Sequence, residues 1–175
     1  MKKTVLTFGL LSGALSAALM TITTAFAERI GFDRSIFVGY TIIVSSLLFV
    51  YFGIRSYRDN VLGGAISFGR AFQAGMLITL ISCVCYVGSW LVVYYNFMPD
   101  FGDKYAAYLV EDKRASGASQ TELDNVRKQG EEMNAMLANP LINAAVTFTE
   151  PFPVGLLITL ISAAVLRKKE PNGTR

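Results

Sequence analysis

The sequence predicts an all-α, polytopic membrane protein: four transmembrane helices, with an extracytoplasmic helical hairpin between the third and the fourth. Three observations carry that expectation. Of the 175 residues, 53% are hydrophobic and only 17% are charged, against roughly a quarter charged in an average soluble domain. Four apolar runs, each closed by charge, are long enough to cross a hydrocarbon core that needs about 20 helical residues. Between the third and fourth runs lies the one long polar stretch, residues 96–140. The whole chain, residues 1–175, reads as a single membrane domain.

The first run extends from Thr4 to Ala27. Its small residues Gly9, Gly13, Ala17, Thr21 and Ala25 recur at every fourth position, lining one helix face along which a neighbouring backbone can approach. Lys2, Lys3 and the Ala25-Phe26-Ala27 string before Glu28 also fit a cleavable signal peptide, but the run is about twice the length of an ordinary signal core. Together with the small stripe, that favours a retained helix.

The second run, Ser35 to Ile54, can continue as helix through Arg55, Ser56, Tyr57, Arg58 and Asp59 until Gly63 and Gly64 end it. Arg55 and Asp59 stand four apart and can pair across one turn. Ser67 sits where an N-cap is wanted, ahead of the third run, Ala71 to Tyr95. That run carries its own small stripe, Ala71, Gly75, Thr79 and Cys83; the fourth, from about Leu141 to Leu166, carries Gly155, Thr159 and Ala163. Such stripes are expected to pack the helices of one bundle, with homodimerisation as the alternative. Cys83 and Cys85 are two apart on a helix and point in different directions, so they read as small buried hydrophobes rather than a disulfide or metal pair.

The polar stretch from Asn96 to Pro140 is too small for a domain with its own large core. It divides into two helices. Phe101, Tyr105, Tyr108 and Leu109 have helical spacing before Ala115-Ser116-Gly117 breaks the pattern. Ser119 followed by Glu122 is a capping box, and Leu123, Val126, Met133 and Leu137 then form a second stripe, expected to pack against the first.

Orientation follows from sorting the basic residues by side. Lys2, Lys3, Arg55, Arg58, Arg70, Arg167, Lys168, Lys169 and Arg175 share one side with only Asp59 and Glu170. On the other side Arg29, Arg34, Lys104, Lys113, Arg114, Arg127 and Lys128 are outweighed by acids between Glu28 and Glu132. Both termini are therefore expected in the cytoplasm.

Chemistry is constrained by what is missing. There is no histidine, which removes the commonest metal ligand and the usual general base. With no Ser/His, Cys/His or paired-carboxylate pattern, neither an enzyme nor a cofactor is expected, and nucleic acid is not an expected partner. Two candidate sites remain. The elbow between the second and third runs gathers Arg55, Arg58, Ser67 and Arg70 near a helix N-terminus, suited to an anionic lipid headgroup or a phosphate; the alternative is the ordinary positive-inside bias. Gly63 and Gly64 do not make a phosphate loop, since the Lys-Ser/Thr pair is absent.

The second candidate is Glu150, with Pro151 and Pro153, inside the fourth run. Proline removes a backbone donor, so the helix is expected to kink or restart there. Counting back about 20 residues from Arg167 places Glu150 near the outer boundary, where a hydrated or capping carboxylate competes with a proton or cation site. In addition, the segment 72–82 (FQAGMLITLIS) echoes 152–162 (FPVGLLITLIS). The two copies run in opposite directions across the membrane, so a true repeat would be inverted, a layout met in secondary transporters.

The residues reached so far also resemble a family. Phe52-Gly53-Ile54-Arg55-Ser56-Tyr57-Arg58-Asp59, Ile66-Ser67-Phe68-Gly69 with Arg70, and Thr147-Phe148 with Phe152-Pro153-Val154-Gly155 resemble a bacterial, Bacteroidetes-type family filed as domain of unknown function 4199. The resemblance runs nearly full length and implies a four-helix inner-membrane protein. It implies no activity, and it implies an apolar residue where Pro151 stands. The resulting expectation is a non-enzymatic accessory or interaction subunit of the bacterial inner membrane, in contact with the bilayer, with anionic lipids and with a membrane-protein partner or further copies of itself. The alternative is a small oligomeric transporter or channel component using Glu150 and the broken fourth helix.

Overall fold

A computed structural model describes residues 1–26 and 31–168. Ala27, Glu28, Arg29, Lys169, Glu170 and Arg175, used above for the signal string and the charge sorting, lie outside the described residues.

Among the described residues seven helices follow in order: α1 (Lys2–Ala25), α2 (Phe32–Asn60), α3 (Phe68–Phe97), α4 (Phe101–Ala115), α5 (Gln120–Leu137), α6 (Pro140–Phe148) and α7 (Pro151–Leu166). Four stretches of the described residues are long and apolar enough to cross a membrane: Lys2–Thr24, Phe37–Asn60, Phe68–Phe97 and Pro140–Leu166. The last combines α6 and α7, because the expected break is real. Asn139 caps α6 by accepting from the Leu141 and Ile142 amides. The helix then stops at Phe148, and α7 starts with Pro151 in its first turn, where the missing N–H costs nothing.

α1 and α7 each pack on both α2 and α3, which also touch one another. The resulting bundle has an inverted polarity. Its interior holds small and hydroxyl side chains, Ser12, Ser16, Ser46, Thr79, Ser82, Thr159 and Ser162 among them, beside Leu47, Val50, Ile54, Ala71, Ala74 and Ile78. Its outside carries large apolar groups: Phe37 is 79% exposed, Val84 67% and Val165 66%. In water that surface would be an aggregation liability, whereas lipid chains cover it without cost and leave packing and hydroxyl bonds to hold the helices together. The chain is an integral, multi-pass membrane protein.

The small stripes meet larger side chains across the helix contacts. A Cβ on Gly9 would stand 2.8 Å from Ile81 and one on Gly13 2.5 Å from the Cys85 Cβ, so α1 approaches α3 backbone to side chain. Ser12 locks this approach by donating to the Ser46 carbonyl at 2.7 Å and sharing a 2.7 Å bond with the Ser82 hydroxyl. Cys83 is fully buried and Cys85 half-buried, the latter against Gly13.

α3 and α7 pair across the sequence echo. Thr79 and Thr159, equivalent positions of the two copies, join hydroxyls at 3.0 Å. Gly75 faces the Thr159 methyl and Gly155 faces the Thr79 methyl, so the contacts exchange under a local two-fold axis between the two threonines. Ile66 and Lys168 close one end with a pair of backbone bonds, 3.0 Å each way.

α4 and α5 pack together across a short turn that contains Gly117 at φ 81°. The Ser119–Glu122 capping box forms in full. The expected α5 stripe is corrected at one place: Met133 is 49% exposed. Gly130 and Asn134 face α4 instead, Gly130 against Ala106 and Asn134 donating to Asp103 at 2.5 Å. Leu123, Gly130 and Leu137 repeat every seven residues, which keeps one seam inward, and Met133 falls off that seam.

Candidate functional site

At the end away from the Ile66–Lys168 bridge, the α3–α7 pair holds a polar cluster built around the helix break. On α3, Tyr86, Trp90 and Tyr94 follow at four-residue spacing, with Tyr95 beside them. Asn143 on α6 is fully buried in the span and satisfies its amide completely. Its Oδ1 accepts from the Trp90 indole and the Thr147 hydroxyl, each at 3.1 Å, and its Nδ2 donates to the Tyr95 hydroxyl at 3.4 Å and the Leu137 carbonyl at 3.3 Å. Tyr95 itself donates to the Leu137 carbonyl at 2.7 Å. A side-chain amide inside lipid is tolerated when every lone pair and proton has a partner, and here the partners tie α6 to α3. Trp90 also meets Phe101 edge-on, with ring centroids 5.3 Å apart, which fixes the start of α4 against the same helix.

Glu150 stands at the N-cap position of α7, but its side chain makes no capping bond. Its backbone is helical, φ −79° and ψ −59°, which turns the carboxylate away from the free amides that an extended N-cap would reach. The Tyr86 phenol donates to Glu150 Oε2 at 3.1 Å instead. Of the hydrated or capping carboxylate expected here, the cap does not form: the residue is exposed and a phenol–carboxylate pair joins α3 to the break. Pro151 is buried and Pro153 exposed; both shape the turn and neither contributes a donor. Chemically the pair can hold or pass a proton, or offer one carboxylate oxygen to a cation.

Asn143, Tyr86, Trp90 and Tyr95 are absent from the sequence-level candidates. The available signal was a lone amide within an apolar run and aromatic residues at helical spacing on the run before it.

At the opposite end the structure regroups the elbow. Ser67 caps α3, accepting from the Arg70 amide. Arg55 and Arg58 both turn to Asp59, at 3.6 and 2.6 Å, and Arg58 also donates to the Leu166 carbonyl at 3.3 Å. An open depression of about 770 Å³ beside them is lined by Ala65, Ile66, Ser67, Phe68, Arg70, Arg167 and Lys168. Of the four predicted residues, Ser67 and Arg70 are brought to it, and Arg55 and Arg58 are not. Arg167 and Lys168 take their place, carried in by the backbone bridge of Lys168 to Ile66.

Outside the spans, two carboxylates are held below their usual range. Lys104 does this for Asp100 through a hydrogen bond and its charge, and the Ser119 amide and hydroxyl do it for Glu122.

Residues 7–168 match a family model described as Protein of unknown function (DUF4199). No curated protein and no solved structure matches the chain.

Proposed function

We propose that this chain, which belongs to the DUF4199 family of proteins of unknown function, is a non-enzymatic accessory subunit of the bacterial inner membrane. In this reading both termini are cytoplasmic and α4–α5 stands in the periplasm as the surface offered to a membrane-protein partner. One observation carries it: the middle of the bundle is filled. Ala71, Ala74, Ile78, Thr79, Thr159 and Ala163 have no exposed surface, and Gly75 and Gly155 sit directly under threonine methyls. The described residues of a single copy leave no passage there, while α5 holds out Met133 and Met136, each 49% exposed, three residues apart among polar neighbours. Paired methionines make adaptable contacts.

The test is native mass spectrometry of the tagged protein released from native-lipid discs, with wild type and a Met133→Gln/Met136→Gln variant. One copy with a stoichiometric partner, lost in the variant, supports the reading. A closed homo-oligomer without another protein overturns it.

A second reading, an oligomeric transporter or channel component, is favoured by the Tyr86–Glu150 pair at the helix break. Four helices enclose little room, so several copies would build the path. Unchanged proton and cation flux in vesicles carrying Glu150→Gln would remove this reading.

A further inference from the structure

We propose that the depression between the N-terminal end of α3 and the C-terminal end of α7 binds the phosphate of an anionic phospholipid headgroup, with Arg70, Arg167 and Lys168 as its cationic walls. The argument begins with how the site is built. Arg70 and Lys168 are far apart in sequence, and their convergence is imposed by the backbone: Ile66 and Lys168 exchange two 3.0 Å bonds. The Arg58 guanidinium further holds the last turn of α7 through the Leu166 carbonyl at 3.3 Å. The cations are therefore placed by the fold.

Charge supplies the second step. Among the described residues, three cations line the depression together with no acid. Asp59, the acid nearest to Arg70 in sequence, is engaged by Arg58 at 2.6 Å and Arg55 at 3.6 Å; Glu170, the acid nearest to Lys168, lies outside the described residues. Among the described residues no carboxylate pairs with Arg70, Arg167 or Lys168. Like charges brought together without a counter-charge repel, and a phosphate reverses the sign of that interaction. The Ser67 oxygen already accepts from the Arg70 amide, which leaves its proton to donate to a phosphate oxygen.

The other wall selects a lipid over a free anion. Ala65, Ile66 and Phe68 complete the lining. Phe68, 40% exposed, stacks on Phe72 with centroids 6.2 Å apart in the first turns of a membrane-spanning helix. A soluble phosphate has no use for an exposed phenyl ring at that depth, whereas a phospholipid lays its acyl chain there while its headgroup meets the cations.

The experiment measures lipid retained by the full chain from phosphatidylcholine bilayers doped with cardiolipin or phosphatidylglycerol. Wild type is expected to enrich the anionic lipid. Since a cation near an anionic surface is worth roughly a fivefold change in partition, Arg70→Gln should lose about that factor and Arg70→Gln/Arg167→Gln/Lys168→Gln most of the enrichment. Arg55→Gln, outside the depression, should keep it. Arg70 is exposed, so its single variant is readable even where the triple one fails to fold. Wild-type enrichment in Arg70→Gln, or an equal loss in Arg55→Gln, overturns the site. Inorganic phosphate binding to lipid-free, detergent-solubilised protein with the same dependence on Arg70 overturns the lipid as its occupant.

Discussion

Gly155→Ala isolates the packing that joins α3 to α7. An alanine Cβ at this position would collide with the Thr79 methyl and stand 3.3 Å from its hydroxyl and 3.4 Å from a Leu47 methyl. Thr79 cannot swing aside: it is fully buried, stiff at χ1 as a β-branched residue, and bonded to Thr159 at 3.0 Å. The helices must separate instead. Overpacking of this kind costs about 1–3 kcal/mol, offset by the ~1 kcal/mol that alanine gains over glycine within a helix, so Gly155→Ala should lie about 1–3 kcal/mol below a variant that has the propensity gain alone. Gly88→Ala is the control, since nothing lies within 4 Å of its Cβ; it keeps the propensity gain alone. Both can be measured by titrating denaturant into mild detergent and following the emission of Trp90, the one tryptophan. Adding Thr79→Ser to Gly155→Ala removes the obstructing methyl, keeps the hydroxyl bond, and should recover most of the loss. Equal stability of Gly155→Ala and Gly88→Ala would refute the close approach, as would a failure of Thr79→Ser to rescue.

Three further outcomes are expected. Asn143→Ala leaves the Trp90 indole and the Thr147 hydroxyl without their acceptor; at about 1 kcal/mol for a hydrogen bond within a membrane bundle, the loss should be about 2 kcal/mol, with a shift in Trp90 emission. Unchanged emission would mean that Trp90 has another partner. Gly130→Leu should separate α4 from α5, since even a Cβ there meets the Ala106 Cβ at 2.7 Å; faster amide exchange in both helices but not in α3 is the expected signature. For Glu122, the folded state holds the carboxylate pKa below its ordinary value. Its contribution to α5 is therefore complete above about pH 4.3, the unfolded value, and is lost as pH falls through the lower folded value. Protection of the first-turn amides of α5 should fall across that window, and Ser119→Ala should flatten the dependence.

The spans, the elbow and the capping box were legible in the sequence because each depends on neighbours along the chain. Apolar length dictates a crossing helix, Gly63 and Gly64 adopt φ 71° and 96° where the turn requires it, and Ser119 reaches only three residues to Glu122. What the sequence concealed depends on a second element. Asn143 reads as a blemish in an apolar run until α3 supplies Trp90 and Tyr95. Glu150 at a helix start suggests a cap, and only its backbone angles and the position of Tyr86 across the bundle redirect it. Charge counting placed Arg55, Arg58 and Arg70 at one elbow correctly, but it could not see that Asp59 occupies the first two while a bridge from the far end of the chain delivers Arg167 and Lys168.

The seam between the echoed segments bears on which functional reading is the stronger. Rocking of one repeat against another needs an interface that can slide, and the α3–α7 contact is fastened along its length. Ile66 and Lys168 hold one end through backbone bonds. Thr79 and Thr159 interlock with the glycines opposite them in the middle, and Tyr86 reaches Glu150 near the other end. Sliding by one helical turn would drive each threonine methyl from a glycine onto a larger neighbour. The break at Thr149–Glu150 does not free α6 either, since Asn143 bonds Trp90 and Tyr95 of α3 and the Leu137 carbonyl at the end of α5. A fixed pair with α6 and the start of α4 fastened to it suits a protein that positions α4–α5 for a partner better than one that opens a path between its own helices.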